Sequence, residues 1–351
     1  MKYFLLLYSI ALITGCNNNL NNKNQPVLEK YKTIGTIERF DKALDKIISK
    51  DAKAEIIAEG FEWSEGPLWI EKHQMLLFSD VPMNIVYKWT EEKGKEVYLK
   101  PSGYTGLTPS ECKEPGSNGL TLDNDGNLVL CQHGDRKVSR MDAPLDKPAA
   151  KFITLADKFK GKRFSSPNDL VFNSSGELFF TDPPYGLKTQ DDRDVQKETP
   201  FNGVYKVKKD GTVILLVDSI TRPNGIALFP GEKKLLVANS DPDKPNWYVF
   251  DINGDSLTNA RPDEPFGRGK IFYSTAGYDK SWNGLPDGFK IDKNGNVFAT
   301  GPGGVYIFNS EGKKQGMLRL DNATSNCALS PDQKILYVTN DMYVLRVKLR
   351  D

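Results

Sequence analysis

A short pattern occurs six times between residues 64 and 330, and it constrains the fold more than any other feature of this sequence. Each copy opens with serine or proline and continues with a residue whose side chain carries a carboxylate or carboxamide oxygen. A stretch in which apolar and polar residues alternate then follows. The copies begin 53, 50, 56, 63 and 39 residues apart, at Ser64, Ser117, Pro167, Pro223, Pro286 and Ser325. One structural unit is therefore used six times.

The turns between the alternating stretches indicate what each copy folds into. In three copies a turn glycine lies eight residues after the oxygen-bearing residue, and short runs of Val, Ile, Leu, Phe and Tyr continue from Ala54 onward. Such runs, separated by turns, are typical of antiparallel strands. A period of about 40 to 60 residues with several strands per copy is typical of a β-propeller, because each small sheet must stack on its neighbours to bury its faces. We therefore predict an all-β, six-bladed β-propeller.

The first residues predict export rather than structure. Lys2 precedes an apolar run over residues 4–13 that is too short to span a bilayer, and residues 13–16 resemble the lipobox of bacterial lipoproteins. We predict a signal peptide over 1–15, lipidation of Cys16 and an asparagine-rich flexible tether over 16–35. This places the protein in a bacterial cell envelope, and Asn17 favours the outer membrane. A plain signal peptide with a chance cysteine is the alternative.

Between the tether and the first repeat, apolar residues follow a helical spacing. They are Ile37, Phe40, Leu44, Ile47 and Ile48. Steps of three and four residues predict an amphipathic helix over 37–50. It would precede the first blade of a single propeller domain over 36–351.

The composition excludes several classes of function. The formal net charge is +1, so bulk electrostatics give no reason to expect a nucleic-acid partner, and the lipid anchor is the only expected contact with a membrane. With only two histidines, three-histidine zinc sites are excluded. Besides Cys16 there are Cys112, Cys131 and Cys327, of which at most one pair can form. Cys112 and Cys131 are the nearer pair in sequence, but buried inert thiols are the preferred interpretation for Cys131 and Cys327.

The oxygen-bearing residues of the six copies form the candidate functional site. Radial stacking brings equivalent positions together around the axis, so these side chains should form a ring at one mouth of the channel. Some of them could instead simply cap turns. Carboxylate and carboxamide oxygens suit a hard cation, and we favour Ca²⁺, with Mg²⁺, Mn²⁺ and Zn²⁺ as alternatives. The ring members are Glu65, Asn118, Asn168, Asn224, Asp287 and Asn326.

A second group of residues should lie near the same mouth, because a strand, a turn and a return strand bring the chain back to its starting face. Among these residues are Asp182 and His133, which lies close to a charged pair that could orient it. A lone histidine at a strand end could equally be structural. Long loops, such as those over 100–116 and 185–203, should overhang the mouth and form a pocket.

Several motifs together resemble the gluconolactonase branch of the family that also contains regucalcin and luciferin-regenerating enzyme. They are EGP at 65–67, SPNDL at 166–170, FTDPPYG at 180–186, PNG at 223–225 and PDG at 286–288. The resemblance implies a six-bladed propeller with an axial divalent metal held by Glu65, Asn224 and Asp287, and with Asn168 beside the metal. Regucalcin-like members carry an arginine where this chain has Ser166, so their sugar preference does not transfer.

The same oxygens suggest a mechanism. A cation with open positions polarises a lactone carbonyl and holds the oxyanion that forms when water attacks. Asp287 is the first candidate for activating the water, and His133 is the second because a neutral imidazole accepts protons near neutral pH. Asn168 and Asn118 would contact the substrate, and we add Asp182 and Tyr185 to the substrate-binding set.

The sequence thus predicts a monomeric, metal-dependent lactonase that opens a small sugar lactone to the aldonic acid. Two alternatives stay open. The same metal site could serve an esterase or a phosphotriesterase, because a polarised P=O and a polarised C=O need similar help. The propeller could also be a non-catalytic, envelope-tethered ligand-binding platform.

Overall fold

The predicted propeller is present in a computed structural model that describes residues 30–106, 111–258 and 269–350. Six antiparallel sheets of four or five strands form the blades. The innermost strand of each sheet contacts the innermost strand of the next, and the sixth contacts the first, so that these strands enclose a central axis. The prediction of an all-β, six-bladed fold is confirmed.

In blades 1 to 3, consecutive strands follow one another from the axis outward. Blade 1 contains Ser64–Ile70, Met75–Asp80, Ile85–Thr90 and Gly94–Leu99. Blade 2 contains Ser117–Leu122, Leu128–Gln132, Lys137–Met141 and Phe152–Ala156. Blade 3 contains Leu170–Phe172, Leu178–Asp182, Gly203–Val207 and Val213–Val217. A small hairpin between blades 2 and 3 pairs Lys158–Phe159 with Lys162–Arg163.

Blades 4 to 6 have additional outer strands. Blade 4 contains Pro223–Leu228, Lys234–Asn239 and Asn246–Asn253, and Asn246–Asn253 pairs with both Ser256–Thr258 and Lys270–Ser274. Blade 5 contains Phe289–Ile291, Val297–Gly301, Gly304–Phe308, Lys314–Arg319 and the N-terminal strand Thr36–Arg39. Blade 6 contains Asn326–Leu329, Ile335–Asn340, Tyr343–Lys348 and the N-terminal strands Ala54–Glu59 and Thr33–Ile34.

Each blade buries both faces against its neighbours. In the strand Met75–Asp80, Leu77 packs with side chains of blade 2, whereas Leu76 and Phe78 pack with side chains of blade 6. Successive side chains of a strand point to opposite faces, so a strand between two sheets must be apolar on both. This accounts for the unbroken apolar runs within an otherwise alternating sequence.

Strands from both ends of the chain close the propeller. Ala54–Glu59 pairs with Tyr343–Lys348, and Leu345 lies opposite Ile56. Two N-terminal strands therefore complete blade 6 next to its C-terminal strands, and this closure joins the first and last blades without a covalent link.

We expect Leu345→Ala to lower the free energy of unfolding by about 2–5 kcal/mol, because the side chain is fully buried in the core cluster at this closure. Met342→Ala, at a residue with a 40% exposed side chain in the preceding turn, is the matched control and should change stability by less than about 0.5 kcal/mol. Urea unfolding followed by tryptophan fluorescence measures both. Equal effects of the two substitutions would contradict the role assigned to the closure.

The predicted helix over 37–50 is wrong. Thr36–Arg39 is the outer strand of blade 5, where Ile37 lies opposite Leu318, and only Lys42–Lys46 form a short 3₁₀ helix. The apolar side chains do serve the core, because Leu44, Ile47 and Ile48 are buried in one cluster. Pairing with a free sheet edge outweighs a weak helical preference, and the apolar spacing alone does not distinguish the two arrangements.

The start of the folded domain also differs from the prediction. Thr33 and Ile34, which the prediction assigned to the tether over 16–35, pair with Glu55 and Ala54 in a strand. The predicted signal peptide and the lipidation site Cys16 lie outside the described residues. Within the described ranges, no helix is long and apolar enough to cross a membrane. Cys131 and Cys327 are buried thiols, as preferred.

Candidate active site

A cavity of about 330 Å³ opens at one mouth of the propeller axis. Five of the six predicted ring members line it, because each lies at or just before the start of an innermost strand. Residues from the connecting loops complete the wall. The lining consists of Trp63, Glu65, Glu114, Asn118, Asn168, Tyr185, Asn224, Ser240, Gly284, Leu285, Asp287, Ala323 and Thr324.

Glycines allow these strand starts to approach closely. A Cβ atom on Gly119 would lie 2.7 Å from the Asn168 carbonyl oxygen, and one on Gly225 would lie 2.3 Å from the Asp287 carbonyl oxygen. Both distances are shorter than any normal contact, so only glycine fits between neighbouring inner strands. The glycine that follows the polar residue in most repeats therefore brings the polar side chains of adjacent blades together.

Four oxygens of this wall have no partner among the described residues. The Oδ1 atoms of Asn118, Asn168, Asn224 and Asp287 are buried and accept no hydrogen bond. An unpaired buried acceptor is costly, and such atoms concentrate where a ligand supplies the missing interaction. Four such oxygens, from four blades, line one cavity. They indicate a binding site for a cation or for a group that donates hydrogen bonds.

The orientation of Asn224 follows from its neighbours. Its Nδ2 donates to the Ser240 hydroxyl at 3.0 Å, which leaves its Oδ1 on the cavity side. The Ser240 hydroxyl in turn donates to the carbonyl oxygen of Pro286, the residue before Asp287. Ser240 thus connects the two ring members of blades 4 and 5.

Two carboxyl groups contributed by the repeats, Glu65 and Asp287, line this cavity. Burial raises the pKa of Glu65 to about 8, with a further contribution from the nearby carboxylate of Asp169. Burial also raises the pKa of Asp287 well above its usual range, and the charges of Glu65 and Asp169 act in the same direction. Desolvation and mutual repulsion make it unfavourable for both groups to be ionised. A cation bound between them would offset this free-energy cost.

The donor set fits a hard divalent cation. Within the described part of the chain, no group of three or more His, Cys, Asp and Glu side chains is arranged to bind a metal, so a cation here would depend on the amide oxygens as well. Carboxylates combined with amide oxygens are typical ligands of Ca²⁺. Glu65, Asn224 and Asp287, the predicted metal ligands, lie on one cavity, and Asn118 and Asn168 offer further unpartnered oxygens.

The sixth ring member has a different place. Asn326 is absent from the cavity wall, and its Nδ2 donates to Glu65 Oε2 at 3.2 Å. Its Oδ1 accepts from the Cys327 backbone at 2.8 Å. Asn326 therefore orients Glu65 rather than offering a free oxygen to the cavity.

Of the other predicted site residues, Tyr185 reaches the cavity and two do not. The Tyr185 hydroxyl donates to the Ser240 carbonyl oxygen at 3.3 Å, and burial raises its pKa, so it stays protonated. Asp182 is fully buried behind the wall and accepts from the backbone amides of Ser165 and Ser166 at 2.9 and 2.7 Å. It fixes the segment that leads to Asn168. Burial raises its pKa to about 6.

His133 is fully buried and does not line the cavity. Its Nδ1 lies 3.7 Å from Glu114 Oε2, and neither ring nitrogen has a hydrogen-bond partner among the described residues. Burial lowers its pKa to about 3, so the ring is neutral at physiological pH. The imidazole therefore lies next to Glu114, a residue of the wall, but is not itself part of the wall.

The sequence did not identify several residues of the wall, among them Glu114, Trp63 and Thr324. Glu114 belongs to the loop over 100–116 that was expected to overhang the mouth. Trp63 and Thr324 each stand one residue before the serine that opens a repeat, but the residue type at this position differs in all six copies, so repeat comparison gave no signal for it. Glu114 lies in the loop before the second copy. Only the length of the loops pointed to this part of the wall.

The fold and the cavity define a class: a six-bladed β-propeller with a polar cavity on its axis. A family model described as "SMP-30/Gluconolactonase/LRE-like region" matches residues 63–341. The chain belongs to this family, and the resemblance carried by its motifs is confirmed.

Individual relatives agree with this assignment. The chain is 39% identical to a gluconolactonase of Zymomonas mobilis over 347 residues, which are 97% of this chain and 92% of that protein. A solved gluconolactonase structure from Xanthomonas campestris is similar with a TM-score of 0.74 and 26% identity, and the match covers 92% of this chain and 99% of that one. Regucalcin from Agrobacterium tumefaciens, with a TM-score of 0.62, 16% identity and coverage of 84% and 93%, shares the fold.

Proposed function

We propose that this protein hydrolyses a sugar lactone to the aldonic acid, with a divalent cation at the propeller axis. The observation that carries the proposal is the set of four buried, unpartnered oxygens on one cavity. Family membership and the relatives named gluconolactonase support the reaction class, and the chain is accordingly a hydrolase of lactone ester bonds. The cavity volume of about 330 Å³ is within the usual range for small-ligand sites.

Glu65, Asn224 and Asp287 would hold the cation, and Asn168 and Asn118 would border it. When bound, a divalent cation supplies positive charge that polarises a carbonyl oxygen and stabilises the developing negative charge. Ca²⁺ is the proposed ion because every donor is oxygen and no histidine lines the described cavity.

The side chains of the wall supply the remaining steps. Asp287 positions the attacking water and accepts its proton at a carboxylate oxygen, since its Oδ1 has no other partner. As the bond between the acyl carbon and the ring oxygen breaks, the proton passes from Asp287 to that oxygen, which becomes a hydroxyl group of the aldonic acid. The amide Nδ2 groups of Asn118 and Asn168 can donate hydrogen bonds to the substrate. The Tyr185 hydroxyl remains a donor at neutral pH. Trp63 and Leu285 give the wall an apolar part that limits the access of bulk water.

Removal of divalent cations tests the proposal directly. We expect dialysis against a chelator to lower the enzymatic hydrolysis of glucono-1,5-lactone at least about 100-fold, because the charge stabilisation is worth several kcal/mol. Added Ca²⁺ should restore it. Acid release followed with a pH indicator, corrected for spontaneous hydrolysis, measures the rate.

Parallel assays distinguish the alternatives. A full lactonase rate in protein shown by elemental analysis to be free of metal would contradict the cation. Cation-dependent turnover of a phosphotriester or a simple ester, without turnover of the lactone, would favour the alternative substrate. Failure of all three substrates in the metal-replete protein would leave the ligand-binding interpretation.

A further inference from the structure

Glu114 is a third carboxyl group of the cavity, and neither the repeat pattern nor the proposed cation site accounts for it. It lies in the loop that connects blade 1 to blade 2, and 24% of its side chain is exposed. The end of this loop is closely packed: the Gly116 amide donates to the Val81 carbonyl at 2.8 Å, and a Cβ atom on Gly116 would lie 2.4 Å from that oxygen. Glu114 is therefore held two residues from a fixed backbone position.

The Glu114 carboxyl group has few hydrogen-bond donors around it. Gln190 Nε2 donates to Glu114 Oε1 at 3.0 Å and to the Tyr185 carbonyl oxygen at 3.0 Å, so it anchors the carboxyl group to the opposite loop. His133 Nδ1, at 3.7 Å from Oε2, is beyond hydrogen-bond distance. Among the described residues no lysine or arginine pairs with Glu114. A carboxylate accepts about four hydrogen bonds, so most of its capacity remains available.

The remaining acceptor positions are available to a ligand in the cavity, because Glu114 is part of its wall. Burial raises the pKa of this carboxyl to about 7, partly offset by the Gln190 hydrogen bond and by the charge of Lys113. A hydrogen bond from a bound hydroxyl group would compensate for part of the hydration that the carboxyl group loses on burial.

We propose that Glu114 selects polyhydroxylated lactones by accepting hydrogen bonds from substrate hydroxyl groups. The inference rests on the proposed lactonase activity and adds the residue that sets its substrate class. The unpartnered oxygens of the ring lie at the strand starts, whereas Glu114 comes from the overhanging loop. The ester carbonyl and the hydroxyl-bearing carbons thus have separate sites of recognition.

Two substrates distinguish the recognition of hydroxyl groups by Glu114 from a general role in catalysis. Glucono-1,5-lactone carries hydroxyl groups, whereas δ-valerolactone has the same ring size and none. We expect Glu114→Gln to lower kcat/KM for glucono-1,5-lactone about tenfold or more and to change that for δ-valerolactone less than about twofold, because only the first substrate loses a charge-assisted hydrogen bond. Most of the loss should appear in KM.

Glu111→Gln is the matched control. Glu111 lies on the same loop, is 61% exposed and pairs with Lys188, so its replacement should leave the ratio of the two kcat/KM values unchanged. A melting temperature near that of the wild type shows that the variant is folded. If Glu114→Gln does not fold, Glu114→Asp takes its place, because it withdraws the carboxylate by one methylene, and the same fall in the ratio is expected.

The outcomes separate this inference from the function on which it rests. An unchanged ratio, or an equal fall for both lactones, would overturn the selection role. A wild-type protein that hydrolyses neither lactone would instead reject the proposed function, whatever the variant does.

Discussion

We expect Asp287→Asn to lower kcat/KM for glucono-1,5-lactone about 10³-fold. The substitution keeps the size of the side chain but removes the carboxylate proposed to accept the proton of water, and proton transfer by a positioned group is worth about 10²–10⁴ in rate. It also removes one of the two negative charges proposed to hold the cation. Most of the fall should persist at saturating Ca²⁺ if proton transfer is the main contribution.

Stability should change in the opposite direction in protein stripped of metal. Burial and the charge of Glu65 make ionised Asp287 unfavourable, so the neutral amide should raise the melting temperature of the stripped protein at pH 8. Asp125→Asn, at an exposed hairpin turn, is the control and should alter neither activity nor stability. A variant that keeps more than a tenth of the activity would contradict the role given to Asp287.

The repeat pattern predicted most of the fold and much of the site, because equivalent positions of the repeats occupy equivalent places around the propeller axis. Every copy places an oxygen at the start of an inner strand, so the copies that encode the blades also encode Asn118, Asn168 and Asn224 on one cavity. The contacts between these residues, which are distant in sequence, therefore follow from the repeat itself. The glycine that follows the polar residue allows the close approach, and it is visible in the sequence as well.

The features that the sequence analysis missed depend on contacts that do not repeat from blade to blade. Glu114 reaches the wall from a loop whose path is set by packing, and Thr324 stands just before a repeat, where the residue type differs from copy to copy. Asn326 has the chemistry of the ring, but its amide turns to Glu65. The segment from Ile37 to Ile48 shows a helical spacing and yet completes a sheet edge, because an unpaired strand offers it more backbone hydrogen bonds than a short helix would.

The buried carboxyl groups determine how the metal-free protein should respond to pH. Glu65, whose pKa is raised from 4.5 to about 8, holds a proton in the folded state that it has already lost in the unfolded state within that range. Its contribution to stability is complete below pH 4.5 and disappears as the pH rises through about 8. Asp287 shifts in the same direction.

His133 acts oppositely in part of this range. Its pKa falls from 6.5 to about 3 on folding, so its contribution is present above pH 6.5 and is lost as the pH decreases. Below pH 6.5 the two effects therefore oppose each other. From pH 6.5 to 8 the carboxyl groups act without this opposition, and stability should fall as the pH rises.

We expect the free energy of unfolding of the chelated protein to decrease between pH 6.5 and 8 by on the order of 1 kcal/mol per pH unit for each proton released. Saturating Ca²⁺ should abolish most of the decrease, because a cation favours the charged carboxylates at every pH in this range. Urea unfolding at several pH values, with chelator and with Ca²⁺, measures both. Asp287→Asn should flatten the chelated curve, since it removes one of the two cavity carboxyl groups whose pKa is raised on folding. Parallel curves with and without the ion would mean that Glu65 and Asp287 do not face it, and the axial cation would have to be abandoned.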